Sequence, residues 1–255
     1  MNNSLAGMNA LVIGVANEHS IAWGIALALR EAGAALALTF LNEKAEPFVR
    51  PLAERAGAAL FLPLDVGKPD QQQALFDQIG RTWGRLDILV HCIAFAPHAD
   101  LHGRVVDTSA EGFAIAMDVS VHSLARLCRA AEPMMTQGGT CLTVSFYGAE
   151  KVVSTYNMMG PVKAALEATA RELASELGPK GISVNVLSPG AIATRAAGGI
   201  ASFDTMLEQA RERAPMKRLA SIEDVGAAAA FLASPAARVI TGETIHIDGG
   251  YHIMG

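Results

Sequence analysis

Short runs of Val, Ile, Leu and Ala alternate with longer stretches of helical periodicity along the whole chain, and this alternation constrains the fold more than any other feature. Parallel strands must be joined by crossovers of about a dozen residues or more, which helices supply. Strands are expected at 10–15, 35–40, 59–62, 87–93, 140–145, 182–187 and 244–248. Each run is continuously apolar, as befits a strand covered on both faces. Helices are expected at 21–32, 43–55, 69–83, 157–177 and 221–233, with a long, interrupted one over 109–135. No linker or shift of composition divides the 255 residues, so a single domain over 1–255 is expected. The exception to the alternation is 190–215, with Gly198 and Gly199, a weak helix around 203–213 and no strand. Irregular segments of that length in compact domains are usually functional, and this one is expected to be a substrate lid.

Composition excludes several classes of protein. With 51% hydrophobic and 18% charged residues, the chain can bury a large core and is not disordered. Its net charge of -5, with no long run of one sign, lacks the basic face that nucleic acid requires. Apart from His19, the first basic side chain is Arg30, so the positive start of a secretory signal is missing. No apolar stretch reaches the ~18 residues of a membrane helix. A cytoplasmic protein is expected. Cys92, Cys128 and Cys141 make an odd count without a CxxC spacing, which favours reduced, packed thiols.

The first strand runs into Gly14, and a helical pattern starts after Ser20 and Ile21. A glycine there permits a tight turn and close approach of backbone to a pyrophosphate, which the free N–H groups of the helix start would attract. A plain strand-to-helix turn with Ser20 as N-cap fits the same residues. Leu41, Asp65, Val66, Ala94, Phe146 and Gly190 follow the ends of five other strands. In an open parallel sheet those ends share one rim, where ligands bind. Asp65 could accept from an adenine amino group, or serve as a turn residue. The segment from Leu41 to Lys44 offers one base beside the repelling Glu43, which favours NADH over its 2′-phosphorylated counterpart.

Tyr156 and Lys163 form the strongest chemical pair. Seven helical residues turn through about 700°, close to two full turns, so both side chains are expected on one face. A lysine ammonium beside a phenol would favour the phenolate and sharpen the hydroxyl as a donor to developing negative charge. Pro161 is tolerable between them if the helix starts near Asn157. His98 and His102 are spaced i, i+4, but no Glu follows the first, and no metal is expected. Met158, Met159 and Met206 could line an acyl pocket or fill the core. Ser145 lacks evident His–Asp partners, and G-x-S-x-G is absent, which argues against acyl-enzyme chemistry.

Five stretches together resemble the bacterial NADH-dependent enoyl-acyl-carrier-protein reductases, a divergent branch of the short-chain dehydrogenase/reductase superfamily. They are Gly14 with Ser20, Ile21, Ala22 and Gly24; His91 to Pro97; Gly148 to Val152, followed by Tyr156 to Gly160 and Lys163; Gly190 with Ile192 and Thr194; and Asp248 to Gly250. The likeness covers essentially the whole chain. The six-residue gap between Tyr156 and Lys163, against three in ordinary members of the superfamily, is its specific mark. The resemblance implies a Rossmann-like, doubly wound α/β domain with a seven-stranded parallel sheet, in a homotetramer. It implies Gly14, Ser20, Ile21, Leu41, Asp65, Val66, Ile93, Lys163, Ile192 and Thr194 around NADH. It implies Ala96, Phe146, Tyr156, Met159 and Met206 at the substrate, an enoyl thioester on acyl carrier protein or coenzyme A. The Ala-rich pattern of Ala164, Ala165, Ala168 and Ala174 is expected to permit close packing between subunits.

The chain departs from that family's pattern in four places. Phe146 stands where many members have a second tyrosine, Leu41 where Gln is common, and Ala94 where a glycine adjoins the nicotinamide. The lid stretch 199–206 has no base and one acid, Asp204, although an acidic carrier favours positive charge. Two alternatives remain: a short-chain alcohol dehydrogenase or carbonyl reductase using a serine near Ser145, and an NADH-binding regulator without turnover.

Overall fold

The computed structural model describes residues 3–153, 156–192 and 203–254, with backbone alone for 203–206. Seven strands form one all-parallel sheet in the order β3-β2-β1-β4-β5-β6-β7. They are β1 (Asn9–Ile13), β2 (Ala35–Phe40), β3 (Leu60–Pro63), β4 (Ile88–His91), β5 (Gly139–Val144), β6 (Ile182–Pro189) and β7 (Thr244–Ile247). Every expected strand is present, with ends shifted by at most two residues. The order reverses between β1 and β4, and at such a switch point the loops diverge and leave a crevice at the carboxyl ends.

The apolar runs are explained by two cores, one on each face of the sheet. Along β1, Leu11 and Ile13 enter one core while Ala10 and Val12 enter the other. β2 does the same with Ala37 against Leu36, Leu38 and Phe40. The first core is closed by α3 (Pro69–Trp83), α6 (Ser123–Ala131) and α7 (Met159–Leu177). The second is closed by α1 (Ile21–Glu31), α2 (Glu46–Ala56) and α9 (Ile222–Ala233). Helices α1 and α9 cross with backbones touching: a Cβ on Gly24 would lie 2.3 Å from the Ile222 carbonyl oxygen, and one on Gly226 2.4 Å from that of Gly24.

Helices α2 and α7 start later than expected, and one short helix appears where a loop was expected. Helix α2 begins at Glu46 rather than 43, because the Asn42 carboxamide oxygen accepts from the Lys44 and Ala45 amides at 3.1 Å each and closes a turn first. The segment around His98, expected as loop, contains a one-turn helix, α4 (His98–Leu101). The interrupted helix is α5 (Ala110–Met117) joined to α6 through a π-helical turn over Asp118–His122. The weak helix expected around 203–213 is α8 (Phe203–Arg213).

Candidate active site

The switch point is built around Gly14. Its φ is +105°, and a Cβ there would lie 2.1 Å from the Cys92 carbonyl oxygen, so only glycine lets β1 end against β4. Ser20 is the N-cap of α1 by position, yet its hydroxyl does not cap. It accepts from the Ala16 and Asn17 amides at 3.1 and 2.9 Å and donates to the Asn17 carbonyl at 2.5 Å. The helix thus starts without a side-chain acceptor for its first N–H groups, in front of a glycine turn. That arrangement fits the pyrophosphate of a dinucleotide.

Other rim residues sort by what they expose. Leu41 is 55% exposed just past β2. The Asp65 carboxylate accepts from the Gly67 amide at 3.0 Å, the turn role, and its own amide donates to Gln71. The Val66 side chain is buried in the core, and its carbonyl accepts from Gln72 and Arg126 at 2.7 and 3.0 Å. Ile93, Ala96 and Ile192 are half-buried beside the two cores. Met159 lies in the core with Met158 instead of facing the rim. Thr194 and the Met206 side chain fall outside the described residues.

The end of β5 gathers the reactive groups. Lys163 on α7 is 5% exposed and donates from Nζ to the Val144 carbonyl at 2.6 Å. Two residues on, the Phe146 ring meets the Tyr156 ring edge-on, with centroids 4.8 Å apart. Gly148 backs the same phenol: a Cβ there would lie 2.4 Å from Tyr156 Cδ1. Tyr156 does not share a helix face with Lys163, as the spacing suggested. Asn157 has φ +49° and turns the chain, and α7 starts only at Met159. What unites the pair is the strand end on which both converge.

Burial dominates the electrostatics. It lowers the Lys163 pKa to about 8, against the smaller opposing pull of Cys92 and Glu167. It drives the Tyr156 phenol well above its ordinary value, and the ammonium does not offset this. The expected tilt toward phenolate is therefore corrected: the hydroxyl keeps its proton. His91, fully buried at the end of β4, is held neutral with its pKa down to about 3. Cys92 is pushed up to about 12, an inert thiol, and all three cysteines are free. Among the described residues no cluster of metal-ligating side chains occurs.

The family described as Enoyl-(Acyl carrier protein) reductase matches residues 14–252. An enoyl-acyl-carrier-protein reductase (NADH) from a Nostoc species is 48% identical over 255 residues, 99% of each chain. One from Bacillus cereus is 46% identical over 253 residues, 98% of this chain and 99% of that one. The chain belongs to the enoyl-acyl-carrier-protein reductase family.

Solved members of the family superpose over the full length. The reductase of Anaplasma phagocytophilum, in complex with NAD, has a TM-score of 0.96 at 44% identity, covering 100% of this chain and 97% of that one. That of Bacillus cereus, with NADP+ and indole naphthyridinone, reaches 0.97 at 46% identity with full coverage of both.

Within this reductase, several polar residues around the pair make contacts that sequence reasoning did not foresee. Ser145, 3% exposed, donates to Glu167 Oε1 at 2.5 Å, so its hydroxyl is committed to a buried carboxylate. The Asn157 side chain donates to the Leu101 carbonyl at 2.9 Å. Ser120 Oγ accepts from the Phe95 amide at 2.9 Å and donates to the Phe95 carbonyl at 3.0 Å. Asn157 was legible in part, since Asn is the non-glycine residue most at ease at positive φ. The serines carry no such signal.

Proposed function

We propose that this chain reduces the C2–C3 double bond of trans-2-enoyl thioesters on acyl carrier protein with NADH, in type II fatty acid biosynthesis. The observation that carries the reading is the buried Lys163 ammonium and the protonated Tyr156 phenol held together at the end of β5, beside the dinucleotide turn of β1.

NADH, when bound, would supply the hydride for C3, and a proton from solvent would complete the reduction at C2. The chain's own groups bind, orient and stabilise. Tyr156 donates a hydrogen bond to the thioester oxygen as negative charge develops there; with its pKa raised by burial, it remains a donor throughout the physiological range. Lys163, pinned by the Val144 carbonyl, presents its remaining N–H groups to a ribose hydroxyl of the cofactor. The uncapped start of α1 and the Gly14 turn would hold the pyrophosphate, with Ser20 and Ile21 beside it, and Asp65 and Val66 would hold the adenine. The exposed Leu41 offers no cation to a 2′-phosphate, consistent with NADH. Ile93 and Ile192 would adjoin the nicotinamide, and Ala96 and Phe146 the substrate; Thr194, Met206 and the lid over 190–215 join them only as the family resemblance implies. Met159, in the core, supports that wall from behind.

The reductase acts as one domain in a cytoplasmic homotetramer. Among the described residues no helix is long and apolar enough to cross a membrane. Ala164 and Ala168 leave small, exposed positions on α7 suited to close helix packing, whereas Ala174 is buried in its own subunit.

The alternative carbonyl reductase would need a free serine hydroxyl at the rim, and the Ser145 hydroxyl is already donated to Glu167. Purified protein with NADH and enoyl thioesters on acyl carrier protein or coenzyme A decides among the readings. Loss of NADH absorbance supports reduction; no loss at any chain length overturns it, and cofactor binding alone would indicate a regulator. Tyr156→Phe is expected to cut turnover far more than NADH affinity, and Lys163→Ala to weaken NADH binding itself.

A further inference from the structure

The segment from Phe95 to Leu101, which leaves β4 and forms α4, passes the site with Phe95 half exposed and Ala96 half-buried. Its backbone is held by side chains at both ends. At Phe95 the amide donates to Ser120 Oγ at 2.9 Å and the carbonyl accepts from the same hydroxyl at 3.0 Å. One fully buried serine thus stands in for a strand partner. At Leu101 the carbonyl accepts from the Asn157 carboxamide at 2.9 Å.

Neither anchor is in ordinary secondary structure. Ser120 lies in the π-helical turn over Asp118–His122, where the extra residue shifts the α6 side chains around the axis relative to α5. The next turn reinforces the same contact: Ser123 donates to the Val119 carbonyl at 2.6 Å, and its hydroxyl lies 2.8 Å from His91 Nε2 at the end of β4. Asn157 is one of two described non-glycine residues at positive φ, and it directly follows Tyr156. A π-turn and a left-handed residue each cost free energy, and both are retained where they reach one segment.

We propose that Ser120 and Asn157 are positioning residues that fix the distance between the Phe95–Leu101 wall and the Tyr156 hydroxyl, and thereby set the fit of the enoyl thioester. Asn157 couples the wall directly to the turn that carries Tyr156, and Ser120 sets where the wall begins. The proposal rests on the role given above to Tyr156, and its test separates the two.

Three variants are compared with the parent: Asn157→Gly, which removes the carboxamide while still allowing the left-handed backbone; Ser120→Ala, which loses both bonds to Phe95; and Tyr156→Phe. Each is measured for kcat and KM with enoyl thioester, for NADH affinity by fluorescence titration, and for amide hydrogen exchange over 95–101. Asn157→Gly and Ser120→Ala are expected to lower kcat/KM about 5- to 10-fold, chiefly through KM, the scale of one or two lost hydrogen bonds. NADH affinity should stay within about twofold, and exchange should quicken over 95–101. If Asn157→Gly keeps the parental kcat/KM, or NADH affinity falls in step with it, the positioning role is overturned, whether or not Ser120→Ala folds. If Tyr156→Phe alone retains turnover, the assigned chemistry fails instead.

Discussion

Replacing Lys163 by Met separates what a buried ammonium does for catalysis from what it costs the fold. Burial holds its pKa at about 8 instead of 10.5. Each tenfold loss of proton affinity is worth about 1.4 kcal/mol, so the charged side chain costs about 3 kcal/mol at neutral pH. Methionine fills a similar volume without charge, and leaves the Val144 carbonyl unpaired at about 1 to 1.5 kcal/mol. The ligand-free variant is therefore expected to be more stable than the parent by about 2 kcal/mol at pH 7, while binding NADH more weakly. Between pH 8 and 10.5 the unfolded chain holds a proton that folded Lys163 has released, so this residue's contribution to parental stability rises with pH in that window. The advantage of methionine shrinks over the same interval, and near its upper end the lost hydrogen bond leaves the variant the less stable. Urea unfolding of both proteins at pH 7 and near pH 10, without cofactor, measures this. A variant less stable at pH 7, or an advantage that does not change with pH, would refute the assignment of a buried, charged Lys163.

Gly148→Ala places a Cβ 2.4 Å from Tyr156 Cδ1 and must displace the ring, so kcat should fall at least about tenfold with NADH affinity retained; steady-state kinetics check this. Gly14→Ala meets both a φ of +105° and a 2.1 Å approach to the Cys92 carbonyl oxygen, and should lower stability by about 3 kcal/mol or more, read from thermal unfolding. Burial raises the Glu167 pKa, so this carboxylate destabilises the fold increasingly as pH rises from its unfolded to its folded pKa. Glu167→Gln should therefore raise Tm at pH 7 and leave it unchanged in acid below both values. Ala168→Glu on the exposed side of α7 should break the proposed tetramer into smaller species by light scattering while leaving far-ultraviolet circular dichroism intact.

The sheet was legible because burial on both faces leaves a compositional trace. Runs such as Leu11 to Ile13 or Leu36 to Leu38 are apolar at every position only when helices cover both sides, and the spacing between runs matches a crossover helix. Element ends were less legible where a side chain competes with the backbone. Asn42 takes the amides that would open α2 and delays it by three residues; Asn157 delays α7 by its left-handed turn. In both cases an asparagine offers the chain a local alternative to the helix, an effect of geometry that apolar periodicity does not register.

The site divides along the same line. Gly14 was found because a glycine stands where a strand meets a helix, and Lys163 because it pairs a cation with the Tyr156 phenol at a fixed spacing. The reason given for Tyr156 and Lys163 lying together was wrong in its geometry, since Tyr156 precedes the helix. The pairing survives because the end of β5 offers a carbonyl to one and an aromatic ring to the other. Ser120, Ser145 and Asn157 escaped because each binds a group far away in sequence. Ser120 reaches Phe95 across 25 residues, Ser145 reaches Glu167 across 22, and Asn157 reaches Leu101 across 56. A serine bonded to distant backbone looks, in sequence, like any helix or surface serine. The chemical groups of this reductase can thus be read from residue type, whereas the distances at which they act depend on polar contacts that appear only once the chain has folded.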